Sequence, residues 1–139
     1  MSEQPTLRGI QASQIIDLWP QIGPLLQRIA IRSEGRTDVV SLVKAIDARD
    51  MQLWAAVVED RIKAIATTEL VNYPLKRVGR FVATSGEDIE EWIGYVLAIE
   101  AWAKQQGCTG MEAVARKGLE RIMKPFGWHS THSIIEKDF

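Results

Sequence analysis

One cysteine, Cys108, is all the thiol that 139 residues contain. A lone thiol cannot close an internal disulfide, and its neighbourhood carries no metal-ligand spacing, so a reducing, intracellular setting fits. An excess of charge is also lacking. The 17 Lys plus Arg and 18 Asp plus Glu leave a net charge of -1, which excludes any global attraction for nucleic acid or an anionic membrane. No apolar run approaches membrane-spanning length, and Met1-Ser2-Glu3-Gln4-Pro5 holds neither the basic nor the apolar stretch of a signal peptide; a cytoplasmic location is the expectation. Low-complexity tracts, linkers and solenoid-period repeats are missing as well. What remains is 46% hydrophobic and 25% charged residues, the composition of one globular domain over 1–139 with a single sizeable core.

The front third reads as helical. After a short first strand at 7–10, Ser13 is placed to cap a helix whose Ile15, Ile16, Leu18, Trp19, Ile22, Leu25, Leu26 and Ile29 recur at helical spacing. Pro20 and Pro24 each remove a donor, so two helical pieces with a bend near Trp19-Pro20 are expected. Thr37 is the expected N-cap of a second helix with Val39, Val40, Leu42, Val43 and Ile46 on its apolar face.

The period then changes from helical to alternating. Residues 52–58, a tight turn at Glu59-Asp60-Arg61, and 62–71 form a hairpin; Asn72-Tyr73-Pro74 interrupts it and 76–84 resumes strand character, which makes a three-stranded meander. Ser85 reads as the N-cap of a long helix, with Asp88 as its capping-box partner, and Trp92, Tyr95, Val96, Ile99, Trp102 and Ala103 form the apolar face. Gly107 is the stop. Residues 108–114 fit a strand returning parallel to the sheet after a crossover helix; a shorter helix and a closing strand at 128–137 complete an α/β layer arrangement. Trp19, Trp54, Trp92 and Trp102 are expected in the core or half-buried.

Few residues advertise chemistry by themselves. His129 and His132, three apart on an expected strand, fall on opposite faces and make no shared metal site. Cys108 follows a glycine at a helix-to-strand joint with no base nearby in sequence, as a buried structural thiol would. Arg116, Lys117, Arg121 and Lys124 form the one local basic cluster. It suits an anionic ligand or an acidic protein surface, and it equally suits a solvated helix face with Glu120 as local partner.

Taken together, the order of elements, the run Ile99-Glu100-Ala101-Trp102-Ala103-Lys104-Gln105-Gln106-Gly107-Cys108, the Ala115-Arg116-Lys117-Gly118-Leu119-Glu120-Arg121 segment and Phe126-Gly127-Trp128 resemble the acyl-CoA N-acyltransferases of GNAT type, in particular the small GNAT-like proteins of tailed bacteriophages and prophages. Leu18-Trp19-Pro20 and Leu53-Trp54 are similar to them too. The resemblance implies an α/β fold with a mixed central sheet, an antiparallel meander and helices on both faces. It implies acetyl-CoA, with no metal, and a primary-amine substrate. Strands 78–84 and 108–114 would splay into a cleft, with free N–H groups at 85–88 pointing into it. Val82, Thr84, Ser85 and Gly86 would hold the acyl-CoA with help from Arg116 and Lys117, and Glu69 would be the catalytic base. The family pattern is not fully met: the phosphate-loop position, Ala83-Thr84-Ser85-Gly86-Glu87-Asp88, has one glycine and several carboxylates, and Met123 stands where many members carry a proton-donating Tyr. Tyr73, Tyr95 or a water would have to donate instead. The resemblance therefore implies either an N-acetyltransferase with an altered loop or a non-catalytic phage protein that acts in virion assembly, or as a virion component, through contacts with phage structural proteins.

Overall fold

The computed structural model describes residues 6–87, 93–115 and 117–139. Strand β1 (Thr6–Ile10) leads through a short 3-10 turn to helix α1 (Ile15–Arg32) and helix α2 (Val39–Asp47). Strands β2 (Gln52–Val58), β3 (Arg61–Tyr73) and β4 (Lys76–Gly86) follow, then α3 (Ile93–Gln105), β5 (Gly110–Ala113) and α4 (Lys117–Met123). The sheet order is β1-β2-β3-β4-β5; its first three pairings are antiparallel and β4–β5 is parallel. Among the described residues no helix is long and apolar enough to cross a membrane.

α1 is one helix, not the two expected pieces. Pro20 and Pro24 lie inside it, both on the solvent side, where the carbonyls they leave unbonded can meet water. The opposite stripe of Ile15, Ile22, Leu25, Leu26 and Ile29 is buried against Leu42 and Ile46 of α2 and against Leu53, Ala55, Val57 and Ile65 of the sheet. At roughly 1.5–3 kcal/mol for each fully buried aliphatic side chain, that stripe outweighs two missing bonds. The 3-10 turn begins after Gln11, whose N–H donates to Gln14 Oε1 at 2.8 Å, and Gln14 holds the N-cap position of α1, so Ser13 is not its cap. Trp19 is exposed rather than half-buried, its indole lying over Gly23. α2 is capped by Asp38, not Thr37: Asp38 has extended backbone and its carboxylate accepts from the Ser41 N–H at 2.7 Å, while the Thr37 N–H donates to Ser33 Oγ.

The β2–β3 turn places Glu59 and Asp60 both at positive φ, 49° and 63°, the backbone hand that a two-residue hairpin requires. On the other sheet face Ala56, Ala64 and Ala66 are small enough for α3 to approach, with Leu7, Trp54 and Tyr95 packed around them. Trp54 and Trp102 meet edge to face at 5.2 Å. Helices thus cover both faces. α3 closes as expected at Gly107 (φ 85°), with Gly107 N–H donating to the Lys104 carbonyl and Cys108 N–H to that of Ala103, a Schellman ending.

The expected closing strand does not form. After Gly127, Trp128 leans on Phe81 at 6.0 Å between ring centroids, and residues 129–139 are exposed coil. The segment offers no face to bury, since Ser130 to Ser133 are polar and Ile134 and Ile135, being adjacent, would point to opposite sides of a strand. Glu136 pairs with Arg36 instead.

Candidate functional site

Strand alternation puts Ile65, Thr67, Glu69, Val71 and Tyr73 on the α1 face of β3. Register sets Glu69 opposite Arg80 of β4, and Arg80 beside Glu112 of β5. Three strands therefore contribute one charged row, and Tyr73 reaches back to it from the end of β3. Arg80 Nη1 donates to Glu69 Oε1 at 2.9 Å and Nη2 to the Tyr73 hydroxyl at 3.1 Å. That hydroxyl donates in turn to Glu112 Oε1 at 2.7 Å, which lies 3.7 Å from Arg80 Nη2. Lys76 Nζ stands 5.8 Å from the centre of the Tyr73 ring.

Burial alone would lower the Arg80 pKa, but hydrogen bonds to Tyr73 and Glu69 and the charges of Glu112 and Glu69 raise it above the ordinary arginine value. The Arg80 and Glu69 side chains are 33% and 29% exposed, so solvent screening limits the pair to about 1 kcal/mol or less. Its consequence is orientation more than stability.

One residue past this row the sheet changes. Thr67 pairs with Ala83 and Thr68 with Phe81, leaving Val82 as an extra residue on β4, a bulge that lifts the strand out of its ladder. The β4–β5 pairing ends at Phe81 and Ala113. Residues 82–86 of β4 thus run on with no described β5 partner.

Of the expected acyl-CoA contacts, Val82 is the bulge residue, and Thr84 pairs with Ala66. Ser85 lies within β4, not at a helix N-cap; it is fully buried, and its hydroxyl and that of Thr67 find no hydrogen-bond partner among the described residues. Gly86 ends the strand at φ 134° against Ala64. The expectation of free N–H groups at 85–88 is corrected at Glu87, whose N–H donates to the Lys63 carbonyl at 3.0 Å because the register that sets Ala64 opposite Gly86 carries on to Lys63 and Glu87. Glu87 also faces Lys63 Nζ at 3.8 Å. Asp88, Trp92 and Arg116 lie outside the described residues. Lys117 opens α4.

Met123 ends α4 and is partly buried, Cys108 is buried, and Tyr95 packs on the alanine face away from Glu69. His129 and His132 are both exposed, and no described group of His, Cys, Asp and Glu is arranged to hold a metal. Two surface grooves, of about 540 and 890 Å³, are lined by α1 and α2 and by the β1–α1 and α2–β2 joints. Neither includes a residue of β3 or β4.

Sequence reasoning named Glu69, and Tyr73 as a candidate donor, but missed Arg80 and Glu112. The signal was the two-residue loop Pro74-Leu75: with Tyr73 paired to Lys76, counting outward sets Glu69 opposite Arg80, an opposite-charge cross-strand pair.

No family model matches the chain, and no curated protein does either. Solved structures do. Over 100% of this chain and 96% of its own, an aminoglycoside N-acetyltransferase in complex with CoA superposes with a TM-score of 0.70 at 12% identity. A ribosomal-protein-alanine N-acetyltransferase from Brucella melitensis covers 98% and 99% (TM-score 0.68, 12% identity). A predicted acetyltransferase with acetyl-CoA from Clostridium acetobutylicum covers 97% and 96% (TM-score 0.66, 16% identity). The fold is that of the GNAT acetyltransferases.

Proposed function

We propose that the chain is a cytoplasmic acyl-CoA-dependent N-acyltransferase whose acceptor is a primary amine. The observation that carries this reading is the end of the β4–β5 pairing at Phe81 and Ala113, immediately beyond the Glu69–Arg80–Glu112 row, which leaves residues 82–86 of β4 without a described β5 partner. On this reading Glu69 stands at the head of the acyl-CoA site, and residues 82–86 bring to it backbone groups that have no described β5 partner.

Acetyl-CoA would supply the acyl group as a thioester. The residues present fit such a group: the outer edge of 82–86 offers peptide groups to the amide-bearing pantetheine arm, in the manner of an added strand. The orphaned, buried Ser85 hydroxyl gains from any polar partner brought there. Arg116 and Lys117 are the cations for its phosphates. On the chain's own side, Glu69 accepts the proton of the incoming ammonium, held in orientation by Arg80. Tyr73, whose hydroxyl is already engaged with a carboxylate and a guanidinium, is the described tyrosine nearest to this exchange.

A second reading keeps the fold without the reaction: a phage protein that serves in virion assembly or in the virion. Two local facts favour it, Met123 in the place of a proton-donating tyrosine and Glu87, paired with Lys63, where a phosphate loop would lie. Thermal unfolding with acetyl-CoA separates the two. The acyltransferase gains roughly 2.7 kcal/mol at a hundredfold excess of ligand over Kd; an unmoved transition at millimolar acetyl-CoA ends that reading.

A further inference from the structure

Arg80 has two carboxylates within reach, Glu69 on β3 and Glu112 on β5, and only one of them is bonded. Nη1 donates to Glu69 at 2.9 Å, whereas Nη2 stops 3.7 Å short of Glu112. The Tyr73 hydroxyl bridges Nη2 and Glu112, accepting from the first at 3.1 Å and donating to the second at 2.7 Å. We propose that Tyr73 is a positioning residue: its hydroxyl bridges Arg80 and Glu112, satisfies both, and so keeps the guanidinium on Glu69. This rests on Glu69 acting as the base in the function proposed above.

The charge balance gives the hydroxyl this task. Arg80 is flanked symmetrically in sequence register, one Glu on either neighbouring strand, and two like carboxylates compete for one cation. Hydrogen bonding breaks the tie, because the Tyr73 proton satisfies Glu112 and the Tyr73 oxygen satisfies Nη2. Remove the hydroxyl and both are left without these partners, 3.7 Å apart with opposite charge; closing that gap draws the fork away from Glu69. The other elements against this row do not alter the balance. Lys76 is held over the Tyr73 ring, and α1 turns the apolar Ile22, Leu25, Leu26 and Ile29 to the same face. Tyr73 itself is exposed at the strand end, so losing one oxygen there leaves the core untouched.

The experiment compares the native chain with Tyr73→Phe and Tyr73→Phe/Glu112→Gln in two measurements. The first is steady-state acyl transfer to a primary amine: Tyr73→Phe is expected to lower kcat about tenfold with KM for the amine within about twofold, and the double variant to recover most of kcat, since the competing charge is gone. A native kcat in Tyr73→Phe, or no recovery in the double variant, overturns the proposal. The second needs no activity: the Arg80 Nη1 resonance, expected at the same position in the native chain and the double variant, where the fork stays on Glu69, and displaced in Tyr73→Phe, where Glu112 draws it away. Spectra identical in all three overturn the proposal. If the native chain transfers no acyl group from acetyl-CoA, the proposed function fails by itself, and the resonances still decide whether Tyr73 holds Arg80 on Glu69.

Discussion

Gly86 lies so close to Ala64 that a Cβ at position 86 would fall 2.4 Å from the Ala64 Cα and 2.5 Å from the Lys63 carbonyl oxygen. Its φ of 134° is closed to side chains in any case. The obstacle is backbone on a paired strand, so it cannot step aside. Gly86→Ala is expected to cost about 2–5 kcal/mol in chemical denaturation, the sum of a strained φ and an overpacked contact. Gly94→Ala in α3, where nothing lies within 4 Å of the added methyl group, is expected to gain about 0.5–1 kcal/mol. Equal effects at the two glycines would contradict this account of the β4 terminus.

The unbroken α1 yields a second prediction. Pro24 sits inside the helix on its solvent side, where it removes one backbone bond and fills no cavity. Pro24→Ala is expected to stabilise the chain by about 2 kcal/mol, the difference in helix propensity less the entropy that the ring withholds from the unfolded chain. A denaturation midpoint that falls in this variant would show that the ring has a packing role.

That helix also marks where sequence reading ends. The apolar stripe Ile15, Ile22, Leu26 and Ile29 was legible, and so were the meander, the α3 stop at Gly107 and the parallel return of β5. Proline rules are local, however, and the burial that overrides them is a property of the sheet beneath. The closing strand at 128–137 failed for the opposite reason: strand-forming residues were present, but in an order that gives no buried face. At the site, Glu69 was legible as a strand carboxylate, whereas Arg80, Tyr73 and Glu112 become one network only once register is known. The bulge at Val82, next to the last β4–β5 pair, has no local signature in Phe81-Val82-Ala83.

Asp38 gives a pH dependence of definite sign. The Ser41 backbone N–H, then the Ser41 side chain, hold its carboxyl below the ordinary 3.8, against the opposing effect of desolvation and with a smaller contribution from Lys44. A depressed folded-state pKa means stability that is present above 3.8 and lost as pH falls through the folded value. Asn keeps a capping oxygen without the charge. The native chain should therefore melt above Asp38→Asn at neutral pH, and the difference should vanish in acid below 3.8. A gap in melting temperature that is constant across that window would mean that the carboxylate charge contributes nothing to the cap.

Glu69 and Glu112 are both bound into the Arg80 network, yet they should differ sharply in function. Glu69 bonds to Arg80 directly and lies one register step from the Val82 bulge, so in the proposed reaction it alone takes the ammonium proton. Glu69→Gln keeps the shape and can still accept from Arg80, but it cannot hold a proton at neutral pH. Its kcat is expected to fall by roughly 10²–10⁴, the usual contribution of a positioned base. Glu112 acts only through Tyr73 and as a competitor for Arg80. Glu112→Gln removes the competing charge and retains an oxygen for the Tyr73 hydroxyl, so its kcat should stay within about threefold of native, well below the loss of a working base. Steady-state rates of acyl transfer from acetyl-CoA to a primary amine decide the matter. Equal losses in the two variants would mean that the carboxylates act as a pair, and a larger loss in Glu112→Gln would move the base from β3 to β5.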